Sequence, residues 1–216
     1  MREGFKATDR DEKLRFYSEA IRLQPKYAEA FVNRGSAHYD KGDVERGLKD
    51  YNEAIRLKPT FAEAFYGRGL ARKAKGDLEG AFKDYNEAIR LKPDYADPFN
   101  DRGIVRYEKG ELEGAIGDYN EAIRLKPDYA SAFYNRGIVR KAKGDLEGAL
   151  KDYNEAIRLK PDHANPFYGR ALTWQARDQP AAAIADFQKY LDLGGGVKDG
   201  FKEKAEAQIR ELKKKL

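Results

Sequence analysis

Apolar positions recur along the chain in two alternating helical stripes. In residues 62–95, "AEAFYGRGLARKAKGDLEGAFKDYNEAIRLKPDY", Phe65, Arg68, Gly69 and Arg72 share one stripe, and Leu78, Ala81, Phe82, Tyr85, Ala88 and Ile89 share another. Both have the i, i+3, i+4, i+7 spacing of a helix with one buried face. Between them, Gly76 can take the left-handed conformation that ends a helix, and the short acceptor of Asp77 can cap the next. Pro93 stops the second helix, having no N–H to donate and disfavouring helix in the residue before it. "TFAE" at 60–63 has capping-box spacing, and Pro98 and Pro166 fall where the first helical turn tolerates proline. The spacing therefore predicts a unit of two helices joined by a tight turn.

That unit repeats. "DYNEAIRLKP" stands unchanged at 50–59, 84–93, 118–127 and 152–161, and Pro25, Pro59, Pro93, Pro127 and Pro161 are each 34 residues apart. Gly35, Gly69, Gly103 and Gly137 recur in mid first helix, where glycine costs about 1 kcal/mol against alanine. Close approach of the partner helix, through the small residues Ala54, Ala88, Ala122 and Ala156, is the expected compensation. Phe31, Phe65, Phe99, Phe133 and Phe167 form a further column. With the period, these columns make residues 28–193 resemble a tandem array of tetratricopeptide repeats. The resemblance implies an all-α fold, a right-handed superhelical solenoid of antiparallel helix pairs.

The expected organisation is one continuous domain: an N-terminal half repeat at 1–27, repeats at 28–61, 62–95, 96–129 and 130–163, a divergent repeat at 164–196 and a capping helix at 197–216. The half repeat is the second helix "DRDEKLRFYSEAIRLQP" without most of a first. In the divergent repeat Ala171 replaces glycine, "RDQP" replaces "KGDL" and "GGG" at 194–196 reads as a hinge. Phe201, Ala205, Ile209, Leu212 and Leu216 then give a polar helix one apolar stripe, which resembles the solvating helix closing many such arrays.

Composition removes most chemistry. Charged residues make up 37% of the 216 and the net charge is +5, with both signs interspersed, so the surface reads as solvated rather than as a nucleic-acid footprint. The absence of cysteine excludes disulfides, thiolate metal sites and a cysteine nucleophile, and fits the cytoplasm. No apolar run is long enough to span a membrane, and "MREGFKATDR" lacks a secretory apolar core, though a signal already removed would leave no trace. His38 and His163, more than three repeats apart, cannot share a site and read as packing residues. Neither "GRG" at 67–69 nor "LGGGVKDG" is a phosphate loop, and pairs such as Glu53 with Arg56 are what a solvated helix face carries. The sequence predicts no enzyme, no cofactor and no metal site.

One departure from the family pattern is systematic. Arg34, Arg68, Arg102, Arg136 and Arg170 stand where the family usually has leucine, while Asp50, Asp84, Asp118, Asp152 and Asp186 recur on the second helices. The expectation is that each arginine pairs with an aspartate of its own or the adjoining unit, because part-buried charges without partners are costly. The alternative is a basic ladder facing a ligand.

The first helices also carry a second, semi-apolar face where the units vary, and the resemblance implies that this face lines a concave groove. Candidate contacts there are Asn33, Tyr66, Leu70, Lys73, Asn100 and Asp101, followed by Ile104, Tyr107, Tyr134, Asn135, Ile138, Lys141, Tyr168 and Leu172. Tyrosine offers stacking area and asparagine can pair with a peptide backbone; Leu70, Ile104, Ile138 and Leu172 could instead pack between neighbouring first helices. The family's chaperone-binding members hold a C-terminal carboxylate with a lysine and asparagine set, which Val32, Ser36 and Tyr66 do not match.

The leading reading is a non-catalytic interaction module holding a peptide or partner protein in the groove. A second is a scaffold, recently duplicated or designed, that self-associates through the apolar faces of Leu14, Phe16, Tyr17 and Ile21 at its N-terminal end. A third, weaker reading is nucleic-acid binding through Arg72, Lys73, Arg106, Arg140, Lys141 and Lys143.

Overall fold

The computed structural model describes residues 2–196, 200–214 and 216, with side chains from residue 11 onward. Met1, Lys215 and residues 197–199, where the predicted capping segment begins, lie outside the described residues. Every regular element among the described residues is helical. The chain forms two compact units, Met1–Val105 and Arg106–Leu216.

The first unit holds α1 (Arg2–Leu23), α2 (Ala28–Asp40), α3 (Val44–Leu57), α4 (Ala62–Ala74), α5 (Leu78–Leu91) and the start of α6 (Ala96–Glu108). The second holds the end of α6, then α7 (Leu112–Leu125), α8 (Ala130–Ala142), α9 (Leu146–Leu159), α10 (Ala164–Ala176), α11 (Pro180–Asp192) and α12 (Phe201–Lys213). Within each unit the helices pack on their sequence neighbours, and first helices also meet one another, α2 with α4 and α8 with α10.

Each pair is antiparallel: Gly35 of α2 faces Tyr51 of α3 while Tyr39, further along α2, faces Gly47, earlier on α3. Gly76 takes φ +83° at the turn. The caps follow, with Asp43 Oδ1 accepting from Arg46 N at 3.1 Å, and Asp77 and Asp145 from Gly80 N and Gly148 N at 2.8 Å. Glu111 holds the same position before α7 without a side-chain cap, because its chain is one methylene too long for that bond. In the divergent repeat Asp178 replaces the turn glycine at φ +54°, a conformation aspartate tolerates better than most residues.

Two expectations need correction. Thr60 does not cap α4, whose N-cap is Phe61 without a side-chain bond. The glycine column accommodates tyrosine rather than alanine: a side chain built on Gly35, Gly69 or Gly137 would meet the ring of Tyr51, Tyr85 or Tyr153 at 3.0, 2.5 and 2.8 Å. Tyr51 also lies 2.4 Å from a Cβ built on Gly67, and Tyr153 lies 2.9 Å from one on Gly169, so each ring is wedged between its own first helix and the next. Those rings, buried with Ala54, Ala88 and Ala156, are the stacking core.

On α12, Ala205, Ile209 and Leu212 are buried against the Phe167–Phe187 cluster, whereas Leu216 is exposed.

Candidate functional site

The arginine and aspartate columns settle the charges before any ligand is considered. Arg34 donates from Nε and Nη2 to both oxygens of Asp50, at 2.8 and 2.7 Å. Arg68 does the same to Asp84, Arg136 to Asp152 and Arg170 to Asp186, with distances of 2.6–3.0 Å. Arg102 donates to Asn86 Oδ1 at 2.6 Å, and Asp118 accepts from Arg106 at 2.9 Å. The third guanidinium nitrogen reaches back a repeat, from Arg68 to Asn52 at 2.8 Å and from Arg136 to Asn120 at 2.6 Å.

Beneath each guanidinium lies a phenylalanine three residues earlier, with Arg34 over Phe31 at 5.5 Å and Arg136 over Phe133 at 5.4 Å. Arg68, Arg136 and Arg170 thus each tie their own helix pair to the preceding one. Arg72 and Arg140 are likewise taken up, by Asp84 and Asp152 at 2.8 and 2.9 Å. With Arg106 held by Asp118 and Lys143 by Glu113, four of the six cations named for nucleic-acid binding are engaged within the protein.

In the first unit Tyr66, Asp101 and Leu70 of the groove face are satisfied internally. Tyr66 donates to Asp101 Oδ2 at 2.7 Å and meets Tyr95 edge-on at 5.1 Å. Burial pushes the Asp101 carboxyl above the usual carboxylate value, while the Tyr66 hydroxyl and the charge of Lys73 pull it back. Leu70 packs with Tyr66 against Ala81, Tyr85 and Val105. Asn100, expected to meet a ligand, is 5% exposed. Asn33 is exposed, and Ile104 is half-buried.

In the second unit the corresponding face is open. A cavity of about 650 Å³ is lined by Tyr134, Ile138 and Lys141 of α8 and by Asn165, Tyr168, Gly169 and Leu172 of α10. Tyr107 of α6, Ala142, Tyr153, Tyr190 and Phe201 complete the wall. Tyr168 is its hub, with ring centroids 5.0 Å from Tyr190 and 5.5 Å from both Phe187 and Phe201. Tyr190 can lean there because Gly195 presents no side chain, since a Cβ on it would sit 2.2 Å from the ring. Burial pushes the Tyr134 hydroxyl up to about 12, so at neutral pH it is a hydrogen-bond donor. His163 meets Tyr134 edge-on at 5.7 Å, and burial lowers its pKa, which keeps the imidazole neutral at pH 7.

The structure therefore brings Tyr107, Tyr134, Ile138, Lys141, Tyr168 and Leu172 to one cavity. Asn135, on the same helix, is not among its lining residues. Ala142, Tyr153, Asn165, Tyr190 and Phe201 are wall residues the sequence reading missed. Among the described residues no group of His, Asp and Glu could hold a metal ion, and no helix is long and apolar enough to cross a membrane.

Comparison with known proteins yields one family. The family model described as TPR repeat matches residues 35–76, 69–110, 103–144 and 139–176. No curated protein matches. Among solved structures the chain is similar to YrrB, described as a TPR protein with an unusual peptide-binding site, at 22% identity and TM-score 0.68 over 92% of this chain and 97% of that one. It is similar to MamA from Desulfovibrio magneticus RS-1, residues 41 to the end, at 20% identity and TM-score 0.68 over 77% and 94% of the two chains. The APC/C hetero-tetramer Cut9–Hcn1 gives TM-score 0.83 at 17% identity, over 95% of this chain and 40% of that one. At these identities the likeness is one of fold.

Proposed function

Because the chain belongs to the tetratricopeptide-repeat family, a class of protein-interaction scaffolds, we propose that it is a non-catalytic module that binds a peptide segment of a partner protein on its first-helix face. The observation that carries this reading is the aromatic cavity of the second unit, whose wall comes chiefly from α8 and α10. At about 650 Å³ it has the size of a specific small site, and its few polar groups among apolar ones suit orientation of a ligand rather than catalysis. The peptide-binding site for which YrrB is described lends support by analogy of fold. The cysteine-free composition suits work in the cytoplasm.

Selection of a displayed random-peptide library tests the proposal. The wild type should enrich sequences that an Ile138→Asn, Leu172→Asn variant of equal helicity does not retain. Enrichment indifferent to the double substitution would reject the groove as the binding face.

A second reading, self-association, is favoured by one observation. Phe16 and Leu23, a helical heptad apart on α1, are each 69% exposed.

A further inference from the structure

The two units share a tyrosine and a lysine at corresponding positions of the groove face, and differ at several positions around them, among them Asn100 against Tyr168 and Asp101 against Gly169. Tyr66 and Lys73 in the first unit correspond, two repeats on, to Tyr134 and Lys141 in the second. In the first unit the residue 35 positions after the tyrosine is Asp101, whose carboxylate accepts the Tyr66 hydroxyl at 2.7 Å and lies within the field of Lys73. In the second, the residue at that step is Gly169. The tyrosine and the lysine are retained and the carboxylate is gone. The Tyr153 ring comes within 2.9 Å of where a Cβ on Gly169 would sit, and beside it opens the cavity, with Tyr134, Lys141 and Gly169 all in its wall.

Resting on the peptide-binding reading above, we propose that this cavity takes an acidic side chain, Asp or Glu, together with an adjacent bulky apolar side chain of the bound peptide. The ligand carboxylate occupies the place that Asp101 fills for Tyr66, accepting from the Tyr134 hydroxyl and pairing with the Lys141 ammonium. The first unit thus displays, within its own chain, the chemistry that the second leaves for a partner.

Three features support this. Lys141 and Tyr134 have no hydrogen-bond or ion-pair partner among the described residues, unlike Tyr66. The cavity wall contains no Asp or Glu, so its one formal charge is the cation of Lys141, which favours an anion and disfavours a basic peptide. About 650 Å³ is far more than a carboxylate fills, and the remaining wall, from Ile138 and Leu172 to Tyr168 and Phe201, is apolar or aromatic, which suits a Phe, Trp or Leu beside the acid.

The test uses the full chain and a probe carrying fluorescein on its N-terminus, fluoresceinyl-Gly-Ser-Glu-Phe-Ser-Gly-amide, followed by fluorescence anisotropy. The dye on one end and the amide on the other leave the glutamate side chain as the only carboxylate of the peptide itself. Replacing the glutamate by glutamine, or the phenylalanine by alanine, should each weaken binding about tenfold or more, the loss expected for one charge-assisted bond or one buried apolar anchor. In the protein, Lys141→Glu should lose binding to a similar extent and should gain it for the probe carrying lysine in place of glutamate.

Gly169→Asp supplies the missing internal carboxylate and should abolish binding. A Cβ at this position meets the Tyr153 ring at 2.9 Å, so Gly169→Ala, which brings the same crowding without the carboxylate and should retain binding, is the control, with helicity checked for both. Equal binding of the glutamine probe, or binding only of fluoresceinyl-Gly-Ser-Gly-Phe with a free C-terminus, overturns the acidic side chain. A library selection that enriches acid-free peptides lost on Leu172→Asn overturns this inference while leaving the groove reading intact. Enrichment of nothing that depends on the cavity overturns both.

Discussion

Asp152→Ala is the sharpest test of the idea that the arginine and aspartate columns hold the array together. The Asp152 side chain is 3% exposed and accepts three bonds, from Arg136 Nε at 2.9 Å, Arg136 Nη2 at 2.6 Å and Arg140 Nη1 at 2.9 Å. Truncation leaves two guanidiniums, with 13% and 26% of their side-chain surface exposed, facing an uncharged methyl. Removing one partner of a buried pair costs about 3–5 kcal/mol. Both arginines keep some contact with water, and Arg136 keeps Asn120 and the Phe133 ring, so about 3 kcal/mol is the expected loss.

Glu155→Ala is the internal control. It breaks an i, i+3 pair with Arg158 whose side chains are 32% and 68% exposed, and should cost about 0.2–1 kcal/mol. Urea unfolding followed by far-ultraviolet circular dichroism measures both, fitted with nearest-neighbour coupling because units of an array need not unfold together. A third variant, Asp152→Leu with Arg136→Met and Arg140→Met, should recover most of the loss, since an apolar replacement removes the stranded charge along with the pair. If Asp152→Ala costs no more than Glu155→Ala, the columns do not bind the helix pairs and the ladder-facing-a-ligand alternative regains its footing.

Other outcomes follow from single positions. Gly117 is mid-helix with nothing within 4 Å of an added Cβ, so Gly117→Ala should stabilise by about 1 kcal/mol, whereas Gly137→Ala meets the Tyr153 ring at 2.8 Å and should cost about 2 kcal/mol in the same unfolding assay. Glu111→Asp restores the missing cap of α7 and should add about 1 kcal/mol, read as a raised midpoint. The Asp101 carboxyl is raised above its ordinary 3.8 by burial, so the folded state holds that proton more tightly than the unfolded chain. Its contribution to stability is full below pH 3.8 and is lost as pH rises through the raised folded value. Asp101→Asn, which keeps an acceptor for Tyr66, should therefore be more stable than wild type at pH 7 and no more stable below about pH 4 in paired thermal melts. If α1 mediates self-association, sedimentation velocity should show a concentration-dependent species that Phe16→Glu removes, and a constant monomer would dismiss that reading.

The period, the turns and the helix pairs were legible because each rests on local rules: apolar spacing, a glycine at φ +83°, an aspartate cap, and a proline that ends a helix. What neighbours whom within a pair was less legible, because a column records residue type and not reach. Alanine and glycine columns suggest two small surfaces touching, yet it is the longer tyrosine of the same helix that swings into the glycine and hides in the gap. Likewise Asn100 reads as a groove residue from its position, but its side chain is buried. The cavity was hardest of all, since it depends on a residue that is absent. Tyr134 and Tyr66 are indistinguishable as letters, but the following repeat offers Asp101 to the Tyr66 hydroxyl and Gly169 to that of Tyr134. In an array built from near copies, binding capacity is therefore best sought where a copied residue has lost the neighbour that answers it elsewhere, and here that search leads to Tyr134 and Lys141.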